Sequence, residues 1–229
     1  MNWLWSNLDQ VGELILVHLA LSVPAIILSF VVSVPIGWFA HRYEWSRSVL
    51  LSLCALLYAV PSLAVFIALP AVTGLSLRSP LNLVIALTLY GIAVIVRTAA
   101  DAFDAVDRDV LQSATAMGYS TAGRFWGVEL PLAGPVLLSG LRVVAVSTVS
   151  LATVGAVIGV QSLGSLFTDG FQRGIEVEII AGVVATIALA LLIDWSLVRI
   201  GRLLMPWSQP DVKTGRAKST TLVEQADAA

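Results

Sequence analysis

Apolar stretches at about 13–39, 48–72, 81–100, 131–159 and 179–198 divide this chain and leave it few ways to fold. Each is close to or above the roughly 20 residues an α-helix needs to cross the hydrocarbon of a bilayer. In that solvent every backbone N–H and C=O must find a partner inside the protein, so helices are expected. With 58% of its 229 residues hydrophobic and only 12% charged, the chain lies outside the range of a soluble core. The sequence therefore predicts an all-α, polytopic membrane protein of about five transmembrane helices. The transmembrane domain should cover 1–206 and a disordered polar tail 207–229.

The remaining composition narrows function. A net charge of −2 gives nothing to attract nucleic acid. Cys54, the single cysteine, allows no internal disulfide and reads as a packing residue. No basic leader with an A-x-A-like site precedes the first span, which is expected to be retained. Trp3, Leu4, Trp5 and Leu8 suggest a short interfacial segment before it, since indole rings favour the membrane–water boundary. His18 has no second His or Cys at helical spacing and is expected to be a satisfied packing residue.

Inside the spans, Pro24 and Pro35 should bend the first helix. Tyr58, Pro61 and Ser62 predict a broken or kinked second span. A break survives in a membrane only where protein or a water-filled path satisfies the freed backbone. These residues, with Tyr90, are therefore candidates for a path or gate, as are Gly159 and Gly164 around an outer turn. Gly134, Gly140, Gly155 and Gly159 should let helices approach closely. Arg142 and Asp194 are the deeply placed charges. They are expected to pair between the fourth and fifth spans, because an unpaired buried charge costs about 3–5 kcal/mol. Asp101, Asp104, Asp107 and Asp109 lack the central Gly and terminal Glu of a calcium loop and predict a solvated acidic face.

Between the third and fourth spans, 104–131 is a polar island. The small Ser113, Ala114 and Ala116 suit a helix that another surface approaches closely. Gly118 should stop that helix in a left-handed cap. A second short helix should follow, with Thr121 as N-cap and Phe125, Trp126 and Val128 as its apolar residues. Pro131 suits the first turn of the next helix. Five spans put the chain ends on opposite sides. With the N-terminus outside, Arg42, Arg47, Arg97, Arg108, Arg124, Arg199, Arg202, Lys213, Arg216 and Lys218 fall at or near the cytoplasm, and Arg78 and Arg173 outside. The excess of Lys and Arg on cytoplasmic loops selects this orientation.

The order Gln112-Ser-Ala-x-x-x-Gly118, nine residues, Val128-x-Leu130-Pro131 resembles the EAA loop of permeases of ATP-binding cassette (ABC) importers. Two positions depart from it: Gln112 stands where Glu is usual and Ser113 where Ala is. The resemblance implies a loop whose short helix enters a cleft of a separate ATPase subunit. Contact positions would be Gln112, Ser113, Ala114, Gly118, Thr121, Phe125, Val128, Leu130 and Pro131. Leu130-Pro-Leu-Ala-Gly-Pro135, Gly140-Leu-Arg142, Gly155-Ala-Val-Ile-Gly159, Leu163-Gly164 and Ala188-Leu-Ala-Leu-Leu-Ile-Asp194 are similar to permeases of osmoprotectant importers, which move glycine betaine, carnitine, choline and related compounds. Paired glycines, usual in relatives, are replaced by Gln161-Ser162, which bears on the flexibility of the outer turn.

The likeness, over about 14–204, implies a transport subunit in the cell membrane. It would be joined by a cytoplasmic ABC ATPase, a second permease copy or related permease, and an extracytoplasmic substrate-binding protein. A methionine-type amino-acid permease shares the five-span plan and the elbow and is the alternative. An ion-coupled secondary transporter would want a charge relay across the spans, for which only Arg142 and Asp194 are available. The sequence holds no GxxxxGK[ST] phosphate loop, catalytic constellation, cofactor motif or metal-ligand spacing.

Overall fold

The structure is a computed structural model and describes residues 3 and 6–208. Long helices form where the apolar stretches lie: α1 Leu8–Arg42, α2 Glu44–Ala59, α3 Ser62–Thr73 and α4 Pro80–Asp104. The elbow contributes α5 Arg108–Ala116 and α6 Thr121–Arg124. A single π-helical turn, Phe125–Glu129, joins α6 to α7 Leu130–Ala152, which tightens into a 3₁₀ segment over Thr153–Ile158. The short α8 Ser165–Arg173 and the long α9 Glu176–Leu204 complete the bundle.

The central helix is α4. Its Leu83, Leu87, Ile95, Val96, Ala99 and Phe103 are buried, and α1, α2, α3 and α7 pack around it. Small residues set those approaches. A Cβ on Gly37 would lie 2.4 Å from Ala99 Cβ, and one on Gly140 would lie 2.5 Å from Thr98 Cγ2. The outward faces carry exposed Leu16, Ile27, Leu56, Val184 and Leu191, the aliphatic surface that lipid requires.

Four of the described helical stretches are long and apolar enough to cross a membrane. The second expected span is instead two helices, α2 and α3, meeting at 107°. It still counts as one crossing. Arg47 at the start of α2 pairs with Asp101 and Asp104 at the end of α4. The start of α4 lies about 38 Å away, at 1.5 Å per residue. The bent pair therefore carries the chain to the opposite side.

Several boundaries depart from the sequence reading. Leu8 and the residues up to Gln10 belong to α1, not to a separate interfacial segment; Leu4 and Trp5 lie outside the described residues. Pro24 and Pro35, expected to bend the first helix, lie within α1 and do not interrupt it. The last span is longer than expected, and α8 occupies part of the expected polar stretch. Trp207 and Ser208, assigned to the tail, close a 3₁₀ turn, Pro206–Ser208; 209–229 lies outside the described residues. The acidic run is not merely a solvated face. Asp104 pairs with His41 as well as Arg47, and Asp107 caps α5 by accepting from the Asp109 N–H at 2.8 Å. Charge pairing across three helix ends accounts for its position beside Arg47.

Candidate functional site

The elbow is assembled from its caps outward. Gly118 has φ +88°, and the Tyr119 N–H donates to the Ala114 carbonyl at 3.2 Å while the Gly118 N–H donates to Thr115 at 3.0 Å. That pair of bonds reverses the chain after α5 and satisfies two of its last carbonyls. The N-cap of α6 is Ser120, not Thr121. Ser120 has the extended backbone a cap needs, and its Oγ accepts from the Gly123 N–H at 3.1 Å; Thr121 is the first helical residue. Nor is the second helix a separate unit. The Leu130 N–H donates to the Phe125 carbonyl, five residues back. Widening the helix here accommodates Pro131, which has no N–H and whose ring would crowd the carbonyl four residues before it. The elbow therefore continues into α7 without a break.

One ion-paired network fixes this geometry. Glu129 is buried; its Oε1 accepts from Arg124 Nε at 2.6 Å and its Oε2 from Trp38 Nε1 at 2.5 Å. Arg124 also donates to Thr115 Oγ1 at 3.0 Å. Four side chains thus tie α1, α5, α6 and the π turn together. Sequence reasoning missed Glu129. Arg124 and Glu129 are five residues apart, a spacing that brings side chains together on a π turn and not on a regular helix.

The expected contact residues divide. Ala114 is buried, and Phe125 packs between Trp38 and Phe103, with ring centroids 5.2 and 5.9 Å away. Phe125 therefore anchors the elbow to its own bundle instead of presenting an apolar knob. Gln112, Ser113, Gly118 and Thr121 are exposed, Val128 and Leu130 partly buried, and Pro131 partly buried in the first turn of α7. Met117, Tyr119 and Trp126 form the exposed apolar surface of the elbow, at 71%, 47% and 69%.

A second site lies beside the middle of α4, where α2 stops. Tyr58, Ser62 and Tyr90 line one cavity of about 330 Å³ together with Val60, Ser147 and Thr148. Pro61 makes the break, and the Tyr90 hydroxyl donates to the freed Val60 carbonyl at 2.5 Å. The protein itself supplies the partner that a broken helix in lipid demands. Gly159 and Gly164 lie apart from this cavity. Their turn is packed: Val160, Ser162, Leu163 and Gly164 are buried, and only Gln161 and Gly159 are exposed. The Ser162 Oγ donates to Ala152 at 3.3 Å and accepts from the Gly164 N–H at 3.1 Å. Ser162 thus anchors the turn that Gly159 and Gly164 flank. His18 is completely buried here. Its Nδ1 accepts from the Leu163 N–H at 3.3 Å and its Nε2–H donates to Val149 at 3.0 Å, the satisfied packing role expected of it.

Arg142 and Asp194 form the expected pair between α7 and α9, doubly bonded at 2.7 and 2.8 Å. They lie in a groove with Ser139 and Ser147, the side chains 41% and 24% exposed. Asp194→Leu should lower the Tm of the purified protein by a few degrees, because it strands a cation. Arg142→Met combined with Asp194→Leu should restore much of that loss. Equal Tm values for all three proteins in a detergent melt would show that the pair stabilises nothing. Among the described residues no group of His, Cys, Asp and Glu could hold a metal ion.

Residues 31–208 match the family model described as binding-protein-dependent transport system inner membrane component. The osmoprotectant import permease protein OsmW of Salmonella typhimurium is 30% identical over 209 residues, 90% of this chain and 97% of that one. The choline transport system permease protein OpuBB of Bacillus subtilis is 29% identical over 189 residues, 82% of this chain and 86% of that one. In fold, the chain is similar to a chain of the MetNI methionine ABC transporter in an inward-facing form, with a TM-score of 0.76 over 87% of this chain and 98% of that one, at 19% identity.

Proposed function

The chain belongs to the binding-protein-dependent transport system inner membrane components, and from that we propose that it carries quaternary-amine osmoprotectants such as glycine betaine, carnitine, choline and proline betaine into the cell. It is a multi-pass transport subunit and not itself an enzyme. ATP is hydrolysed by a separate cytoplasmic ATPase, an extracytoplasmic binding protein delivers the substrate, and a second permease copy or a related permease completes the path. The observation that carries the coupled reading is the elbow. The first turn of the elbow's second helix, Thr121–Arg124, projects beyond the bundle as the end of the continuous stretch Thr121–Ile158. It is capped at Ser120 and tied by Arg124 to a buried Glu129, with Trp126 exposed beside it. Such a rigid, apolar, cytoplasm-facing knob suits insertion into a partner, with Gln112, Ser113, Gly118 and Thr121 around it.

Substrate choice follows the relatives along the length of the chain. The test is to purify the assembled complex with its binding protein and measure which ligand that protein holds. Tight binding of glycine betaine, choline or carnitine is expected; tight binding of methionine alone would replace the osmoprotectant reading with the amino-acid one.

Orientation makes a separate expectation. The N-terminus is outside and the C-terminus cytoplasmic, in keeping with the excess of cations on that side. A protease site fused after Ala229 should be cut only when the membrane is permeabilised. Cleavage from the outside in intact cells would refute the five-crossing topology.

A further inference from the structure

We propose that the corner formed by Tyr58 and Tyr90 is a cation–π subsite through which the permease itself recognises the quaternary ammonium group in transit; this rests on the osmoprotectant reading above. The two rings stand 6.4 Å apart between centroids at 68°, so they form two walls of a box. A quaternary ammonium has no N–H to donate and is held by ring faces and weakly by carbonyl oxygens. Both are present. The Tyr90 ring is fixed in place by its hydroxyl's bond to Val60, while Tyr58 is 61% exposed and borders the open side. Val60 follows the last turn of α2, where unpaired carbonyls make the negative end of the helix dipole, which favours a cation.

The rest of the lining sets the strength of binding. Ser62, Ser147 and Thr148 add hydroxyls, and no Asp, Glu, Lys or Arg is among the lining residues. Arg142 and Asp194, on α7 and α9, neutralise each other. An aromatic corner without a carboxylate would hold a cation briefly and let it go, which a transport path requires. A carboxylate there would trap it.

The ring itself is the testable element. The full complex of permease, ATPase and binding protein is reconstituted in vesicles, and uptake of saturating glycine betaine is measured per inserted complex. Saturation removes capture by the binding protein from the comparison. Tyr58→Phe and Tyr58→Trp keep an aromatic face and should stay within about twofold of wild type, whereas Tyr58→Leu keeps only apolar bulk and should fall roughly tenfold. Because Tyr58 is mostly exposed, equal membrane abundance and equal ATPase co-purification are expected for all three. Equal rates for the Leu and Phe variants would overturn the subsite and leave Tyr58 as an apolar wall. Failure of the wild-type complex to take up glycine betaine, with methionine transported instead, would remove the osmoprotectant reading and the subsite with it.

Discussion

Gly118→Val should abolish uptake while the protein stays in the membrane at wild-type abundance. Gly118 has φ +88°, a region that costs an L-residue about 1–2 kcal/mol and is rarer still for a β-branched one. Space is not the issue, since a Cβ at Gly118 would meet nothing within 4 Å. The penalty falls on the backbone reversal that aims α6. If the chain relaxes to negative φ, the bonds from Gly118 to Thr115 and from Tyr119 to Ala114 open, and Trp126 is re-aimed. Bundle packing is untouched, because the exposed Gly118 belongs to none of the buried clusters. Gly118→Asn is the informative control. Asparagine tolerates this conformation, so it should keep a large share of transport at equal abundance. Uptake and ATPase co-purification measured for both variants decide the matter. A fully active valine variant would mean that the loop is only a connector.

Glu129→Ala should uncouple the machine at least as severely, by a different route. It leaves Arg124 without its carboxylate and the Trp38 N–H without an acceptor. Breaking a buried ion pair costs on the order of 3–5 kcal/mol. The lower figure applies here, because the Arg124 side chain keeps 20% exposure. That loss falls on the joint between the elbow and α7, so α6 would follow the transmembrane bundle less rigidly. Uptake should drop more than tenfold while the ATPase continues to hydrolyse ATP. Glu129→Gln keeps a hydrogen-bond acceptor for Trp38 and should fall between the two. Measuring uptake and hydrolysis in the same vesicles gives the ratio; an unchanged ratio in the alanine variant would show that the network has no coupling role.

The crossings, the break at Pro61, the Gly118 cap and the Arg142–Asp194 pair were legible because each rests on a local rule. Apolar length gives a span, proline removes a donor, a glycine after a helix takes positive φ, and a lone charge in lipid needs a partner. What was not legible depends on register or tertiary placement. Thr121 and Ser120 are both good capping residues, and only the position of the first helical turn chooses Ser120. Phe125 and Trp126 are equally apolar in sequence. The π turn rotates Phe125 toward Trp38 and Phe103 and leaves Trp126 outside. Glu129 was hidden for the same reason, since five residues is a contact distance only after that turn. The reason for Gly164 was not legible either: a Cβ there would lie 1.9 Å from the Thr153 carbonyl oxygen. That glycine marks a tight contact, which only the tertiary placement of Thr153 reveals.

The central claim is that this chain is the passive path of an ATP-driven importer for quaternary amines. It is tested most directly by co-reconstituting it with its ATPase and binding protein and following labelled glycine betaine into vesicles. The account predicts accumulation that requires ATP on the cytoplasmic side, persists when proton and sodium gradients are collapsed by ionophores, and is lost when the ATPase is omitted. Accumulation driven by an imposed ion gradient without ATP would contradict it.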